Sequence, residues 1–178
     1  MSYSSGRILL SSQREGQVSR FRTWVVLVVP LAAILFQVYI PLFFQFLKFL
    51  EMPLLVVVYF ALMRRSQIGG LLTGAMVGLA QDSLSKDPLG MHGIVNTLVG
   101  YFAASVGVRL DVDHGVIRFG LAVFFYIIHQ ILCWMIERAL PMGHEPAFKL
   151  DEWLIFGVLN GVVAVALFHF LDKLRESA

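Results

Sequence analysis

The stretch from Gly69 to Gly107, GGLLTGAMVGLAQDSLSKDPLGMHGIVNTLVGYFAASVG, decides the fold of this chain. It predicts two apolar helices that are joined by a short polar turn. In the first helix Gly70, Gly74 and Gly78 recur every four residues and form one slowly turning stripe. Asp82 continues this stripe at the end of the helix.

The second helix of the stretch carries small residues at Gly93, Gly100 and Ala104. In lipid, helices associate by close packing rather than by hiding apolar surface from water, and small residues allow two backbones to approach. We therefore interpret the small residues of both helices as a packing seam inside a helical bundle.

The composition indicates a membrane protein. Of the 178 residues, 58% are apolar and only 15% are charged, whereas soluble proteins average about a quarter charged residues. The net charge is +2 and no basic stripe occurs, so we do not expect nucleic acid as a partner. Membrane lipids are the expected surroundings of so apolar a chain. The single Cys133 lies in an apolar run, where we interpret it as a packing residue.

Apolar segments and polar breaks predict an all-α fold, a compact bundle of six transmembrane helices. A span needs about 20 residues to cross about 30 Å of hydrocarbon. Segment 41–52 alternates Phe with polar residues, and we expect it to lie in the membrane interface before the second helix. The predicted helices cover 21–42, 51–64, 67–84, 88–108, 115–140 and 151–172.

The rest of the chain is short. We expect residues 1–20 to form a flexible cytoplasmic tail, residues 21–173 the transmembrane domain, and residues 174–178 a second cytoplasmic tail. With the N-terminus inside, only four of the fourteen Lys and Arg residues face outwards, so both termini are predicted to be cytoplasmic. These four are Lys48, Lys86, Arg138 and Lys149.

Most polar side chains of the predicted helices fall towards the outer end of the bundle. Such groups face the bundle interior or a watered cavity, because contact with hydrocarbon is costly. They either make interhelical hydrogen bonds, the interpretation that we favour, or line a cavity open to the outside. These side chains are Gln37, Asp82, Asn96, His129, Gln130 and Asn160.

Asp82 has two interpretations of its own. It is either an interfacial carboxylate paired with Lys86, or it bonds across to helix four or to the helix of a partner protein. In the turn that follows, Asp87 is a suitable N-cap and Pro88 a suitable first residue for helix four.

The order Gly-x3-Gly-x3-Gly-Leu-x2-Asp, followed by Pro-Leu-Gly and by a helix that closes on Gly-Tyr, resembles the bacterial rod shape-determining protein MreD family. The residues that carry this resemblance are Gly70, Gly74, Gly78, Leu79, Asp82, Pro88, Leu89, Gly90, Gly100 and Tyr101. Length, six predicted spans and a short polar N-terminus also agree with the family.

The resemblance implies a non-enzymatic, multi-pass subunit in the bacterial inner membrane, acting in the cell-elongation machinery that synthesises peptidoglycan. Its implied partners are the single-span periplasmic protein MreC, the actin-like MreB filament, and RodA with its class B transpeptidase. We expect lipid-facing aromatics such as Phe43, Phe44 and Phe46 to receive the span of a partner.

The alternative is a substrate-capture subunit of an energy-coupling-factor transporter, which a compact six-helix bundle also resembles. Those subunits often carry an Ala-x3-Ala pattern in helix one. Here Phe36 and Gln37 stand four residues after Ala32 and Ala33, which counts against this alternative. A shared fold would make this chain a capture-type scaffold.

No motif indicates catalysis. An intramembrane serine protease needs a Ser–His pair on facing helices, and no such pair is singled out by the sequence. We also find no spacing of His, Cys, Asp or Glu that indicates a metal site, and we expect no cofactor. His129 is interpreted as a packed, hydrogen-bonded side chain.

Overall fold

A computed structural model describes residues 23–85, 89–110, 112–139 and 148–174. These residues form six α-helices and contain no strand, so the predicted all-α bundle is confirmed. The helices are α1 (Thr23–Tyr39), α2 (Met52–Arg64), α3 (Gln67–Leu84), α4 (Met91–Gly107), α5 (Gly115–Ala139) and α6 (Leu150–Asp172). Two short 3-10 helices, Ile40–Leu42 and Gln45–Phe49, connect α1 to α2. The predicted tail 1–20, residues 175–178 and Lys86, the partner that one interpretation gave to Asp82, lie outside the described residues.

Helix α2 is the centre of the bundle. Every residue from Pro53 to Met63 is buried, and α2 contacts α1, α3, α4, α5 and α6. A helix that is apolar on all sides, such as MPLLVVVYFALM, faces either lipid or protein, and here protein encloses it. Helices α3 and α4 pack beside α2, so their small residues lie in a seam next to this central helix.

Helices α3 and α4 pack at very short range. A Cβ atom added at Gly74 would lie 2.0 Å from the carbonyl oxygen of Asn96, and one added at Gly70 would lie 2.3 Å from that of Gly100. Gly78 faces the carbonyl of His92 in the same way, at 2.3 Å. The two backbones touch along this row, where only glycine fits.

The turns that bound these helices have clear local causes. Arg65 ends α2 in the left-handed conformation (φ 50°), and Ser66 caps α3 by accepting a hydrogen bond from the Gly69 N–H. Helix α4 begins at Met91, after Gly90 with φ 94°. The predicted start at Pro88 was wrong, and Asp87 and Pro88 themselves lie outside the described residues.

Three helices are long and apolar enough to cross a membrane: Trp24–Leu42, Gly115–Ala139 and Leu150–Asp172. Helix α2 has 13 residues and is about 20 Å long at 1.5 Å per residue. That is shorter than the hydrocarbon layer of about 30 Å. The structure is thus a helical membrane bundle, and six full crossings remain a prediction.

Candidate functional site

Asp82 joins the end of α3 to the start of α4. Its side chain is buried, and its carboxylate accepts hydrogen bonds from the backbone N–H groups of Gly90, His92 and Gly93 at 2.9–3.0 Å. The first N–H groups of a helix have no partner within the helix and carry partial positive charge. Asp82 therefore caps α4 from a different helix, which is the bond to helix four anticipated above.

The same carboxylate orients an imidazole ring. Oδ1 of Asp82 lies 2.9 Å from Nδ1 of His92, and both side chains are buried. A carboxylate oxygen accepts hydrogen bonds, so this contact suits a His92 tautomer with the proton on Nδ1 and the lone pair on Nε2.

His92 is packed against two side chains of α5. The centroids of the His92 and His129 rings are 6.0 Å apart, and Sγ of Cys133 lies 3.8 Å from Nδ1 of His129. One ring nitrogen of each histidine and the Cys133 sulfur all lie within 4.8 Å of one another. All three residues are buried.

Gln37 and Asn160 lie at the N-terminus of α2, where the buried helix exposes its own unpaired N–H groups. Oδ1 of Asn160 accepts from the Glu51 N–H at 2.9 Å, and Oε1 of Gln37 accepts from the Met52 N–H at 3.3 Å. The Asn160 amide also donates to the Phe49 carbonyl at 2.8 Å. Helices α1 and α6 thereby cap α2 from both sides.

Asn96 and Gln130 do not take part in capping a helix. Nδ2 of Asn96 donates to Oε1 of Gln81 at 3.4 Å, and the Asn96 amide oxygen is buried with no donor among the described residues. Gln130 lies one turn after Tyr126 on α5.

The six predicted polar residues thus form separate groups. Asp82 and His129 are bridged by His92, and Asn96 pairs with Gln81. Gln37 and Asn160 accept hydrogen bonds from two successive backbone N–H groups at the start of α2. The proximity of His92 and Cys133 was not predicted from the sequence. The spacing of four residues between His129 and Cys133 places both on one helix face and was the available signal.

A second polar group was also missed, at the opposite end of α2. Arg118, near the start of α5, forms a salt bridge with Asp172 at the end of α6, and its Nε donates to the Val112 carbonyl at 2.7 Å. The Tyr59 hydroxyl of α2 donates to the same Asp172 carboxylate at 2.9 Å. In the sequence, this pair is visible only as a charged residue near the start of one apolar segment and another at the end of the next.

The outer surface of the bundle carries an apolar groove of about 180 Å³ between α1 and α3. Its lining is Val26, Leu27, Pro30, Leu31, Ile34, Thr73, Met76, Val77 and Ala80. Phe43 and Phe44, in the connection that follows α1, are 79% and 63% exposed. The side chain of Phe46 lies outside the described part of the chain.

The comparisons with known proteins give one positive result. A family model described as rod shape-determining protein MreD matches residues 19–177, nearly the whole chain. The searches of curated proteins and of solved structures return no significant match. The resemblance to transporter capture subunits therefore stays a prediction. With a family model that covers its whole helical bundle, the chain belongs to the rod shape-determining protein MreD family.

Proposed function

We propose that this chain is a non-enzymatic membrane scaffold of the bacterial cell-elongation machinery and that it binds MreC. The family match over residues 19–177 carries the proposal, because that family determines rod shape. RodA with its class B transpeptidase, and MreB, are further partners under this proposal. No observation favours the alternative of a substrate-capture subunit.

The described connections between helices support a scaffold that acts within the membrane. Arg65 and Ser66 alone separate α2 from α3, and residues 108–114 separate α4 from α5. Where the described connections are this short, the helix surfaces are the main area for partner contact. Those surfaces are apolar, with exposed side chains such as Leu27, Leu31 and Met76.

The groove between α1 and α3 suits a single transmembrane helix. Its lining is apolar except for Thr73, whose hydroxyl already donates to the Gly69 carbonyl at 2.7 Å. Ala80 and Thr73 are small, and small residues permit close helix approach in lipid. We place the span of MreC in this groove, with Phe43 and Phe44 beside its outer end and Phe46 in the same segment.

The proposed placement is the bacterial inner membrane, with several crossings and both termini in the cytoplasm. Three helices of sufficient length and apolarity support membrane insertion. The excess of Arg and Lys on one side of the predicted loops supports the orientation. Fusion of a reporter that is active only in the cytoplasm to either terminus tests this placement, and an inactive fusion would contradict it.

Site-specific photocrosslinking tests the binding of MreC. A photoreactive phenylalanine analogue at Leu31, in the groove, is expected to crosslink to MreC in intact cells. The same analogue at Val158 is the matched control, since Val158 is an exposed apolar residue on α6, away from the groove. Equal yields from both positions, or capture from Val158 alone, would contradict the proposed surface.

A tagged purification in mild detergent tests the scaffold role itself. Recovery of MreC and the wall-synthesis enzymes is expected. Recovery of a transmembrane coupling protein with paired ATPases would instead identify a transporter subunit and overturn the proposal.

A further inference from the structure

We propose that His92, His129 and Cys133 form a metal-binding site for a zinc-class transition-metal ion, with Asp82 as its supporting carboxylate. The site lies between α4 and α5 at the same end of the bundle as the α4 cap. It is independent of the proposed scaffold function, and nothing in the binding of a partner span requires it.

The donor atoms are those that zinc prefers. Two imidazole nitrogens and one thiolate sulfur are common zinc ligands, whereas magnesium and calcium require oxygen ligands. Tetrahedral coordination with Zn–N about 2.0–2.1 Å and Zn–S about 2.3 Å places donor atoms about 3.4–3.6 Å apart. The Cys133 sulfur and Nδ1 of His129 are already 3.8 Å apart, and the whole set lies within 4.8 Å. Small side-chain rotations suffice to close the set around an ion.

The carboxylate of Asp82 is placed as in known histidine metal sites. A metal-binding histidine usually donates its second ring N–H to a carboxylate, which fixes the ring and strengthens the ligand. The contact of 2.9 Å between Nδ1 of His92 and Asp82 fits this arrangement, in which Nε2 of His92 is the atom that binds the ion. The backbone N–H groups of α4 hold the carboxylate itself in place.

Charge balance agrees with this assignment. An isolated charge inside a membrane bundle is costly, and buried charges are paired or coordinate metals. A divalent ion together with the Cys133 thiolate and the Asp82 carboxylate sums to zero net charge. Three protein donors fill three positions of a tetrahedral ion and leave the fourth for water or another ligand.

Cobalt substitution in the purified full-length chain tests the site directly. The protein is prepared in detergent with a tag free of histidine, and Co²⁺ is added. We expect a thiolate-to-cobalt charge-transfer band in the near ultraviolet. Because Cys133 is the only cysteine of the chain, the band reports this one residue. Its absence in the wild-type chain would overturn the proposal without any variant.

Variants then assign the ligands. Cys133→Ser and His129→Gln are expected to weaken zinc binding at least tenfold, measured by calorimetry and by metal content after dialysis. His169→Gln is the control, because His169 is exposed on α6 and lies outside the cluster. Asp82→Asn is expected to weaken binding about 10–100-fold as a supporting residue. Equal zinc binding by wild type and Cys133→Ser would show that the cluster is packing alone.

Discussion

Nδ1 of His92 lies 2.9 Å from Oδ1 of Asp82, and this contact ties the last turn of α3 to the first turn of α4. The same carboxylate accepts hydrogen bonds from the backbone N–H groups of Gly90, His92 and Gly93 at the start of α4. One buried side chain thus lies within hydrogen-bond distance of four nitrogen atoms at the start of α4.

Asp82→Ala is expected to destabilise the bundle by about 2–4 kcal/mol, because it leaves buried donors without an acceptor and removes a helix cap. The free energy of unfolding in mixed micelles measures this. Ser83→Ala is the matched control, since Ser83 is exposed and its hydroxyl donates only to the Leu79 carbonyl of its own helix. Equal losses in the two variants would contradict the role given to Asp82.

Gly74→Leu is expected to abolish correct folding or assembly, and Gly74→Ala to lower stability markedly. The reason is that an added Cβ would lie 2.0 Å from the Asn96 carbonyl oxygen, which belongs to backbone and cannot move aside cheaply. Gly120→Ala on α5 is the control, because its Cβ would meet nothing within 4 Å. Membrane levels and cell shape report the result, and a normal phenotype of Gly74→Leu would contradict the packing seam.

Arg118→Ala is expected to lower the free energy of unfolding by about 3 kcal/mol. Removal of Arg118 leaves the charge of Asp172 uncompensated in a largely buried pair. The double replacement Arg118→Met with Asp172→Leu is expected to recover much of this loss. A double-mutant cycle measures the coupling between the two residues. Additive losses would show that the salt bridge between α5 and α6 contributes nothing.

Asn160→Leu is expected to destabilise the protein by about 1–3 kcal/mol, since the Glu51 N–H at the start of α2 loses its acceptor in a buried site. Val158→Leu on the exposed face of α6 serves as the control. Thermal unfolding in detergent compares the two. A stability of Asn160→Leu equal to that of the control would place the Glu51 N–H in contact with water.

The sequence was most informative where local chemistry sets the structure. Helix α3 runs from Gln67 to Leu84 as predicted, because polar turns and Ser66 bound it. Helix α2 was predicted from near Glu51 to Arg64 and runs from Met52 to Arg64. Its central position was not foreseen, because an all-apolar run looks the same whether it faces lipid or protein.

The long-range polar contacts needed the fold. His92 reaches His129 only because the glycine row brings α4 against α3 and places its first turn beside α5. Arg118 and Asp172 are 54 residues apart and meet only when the ends of α5 and α6 lie together. Neither pairing has a spacing that a sequence pattern could reveal, whereas His129 and Cys133 do.

The central position of α2 has a consequence for biogenesis. A helix of 13 residues is about 20 Å long, too short to span about 30 Å of hydrocarbon unaided. Four of the five helices that enclose it are synthesised after it. Helix α2 therefore leaves the ribosome before α3, α4, α5 and α6 have been synthesised. The protein surroundings of α2 are therefore complete only after α6 has been synthesised, and a chain truncated after α2 lacks four of its five neighbouring helices.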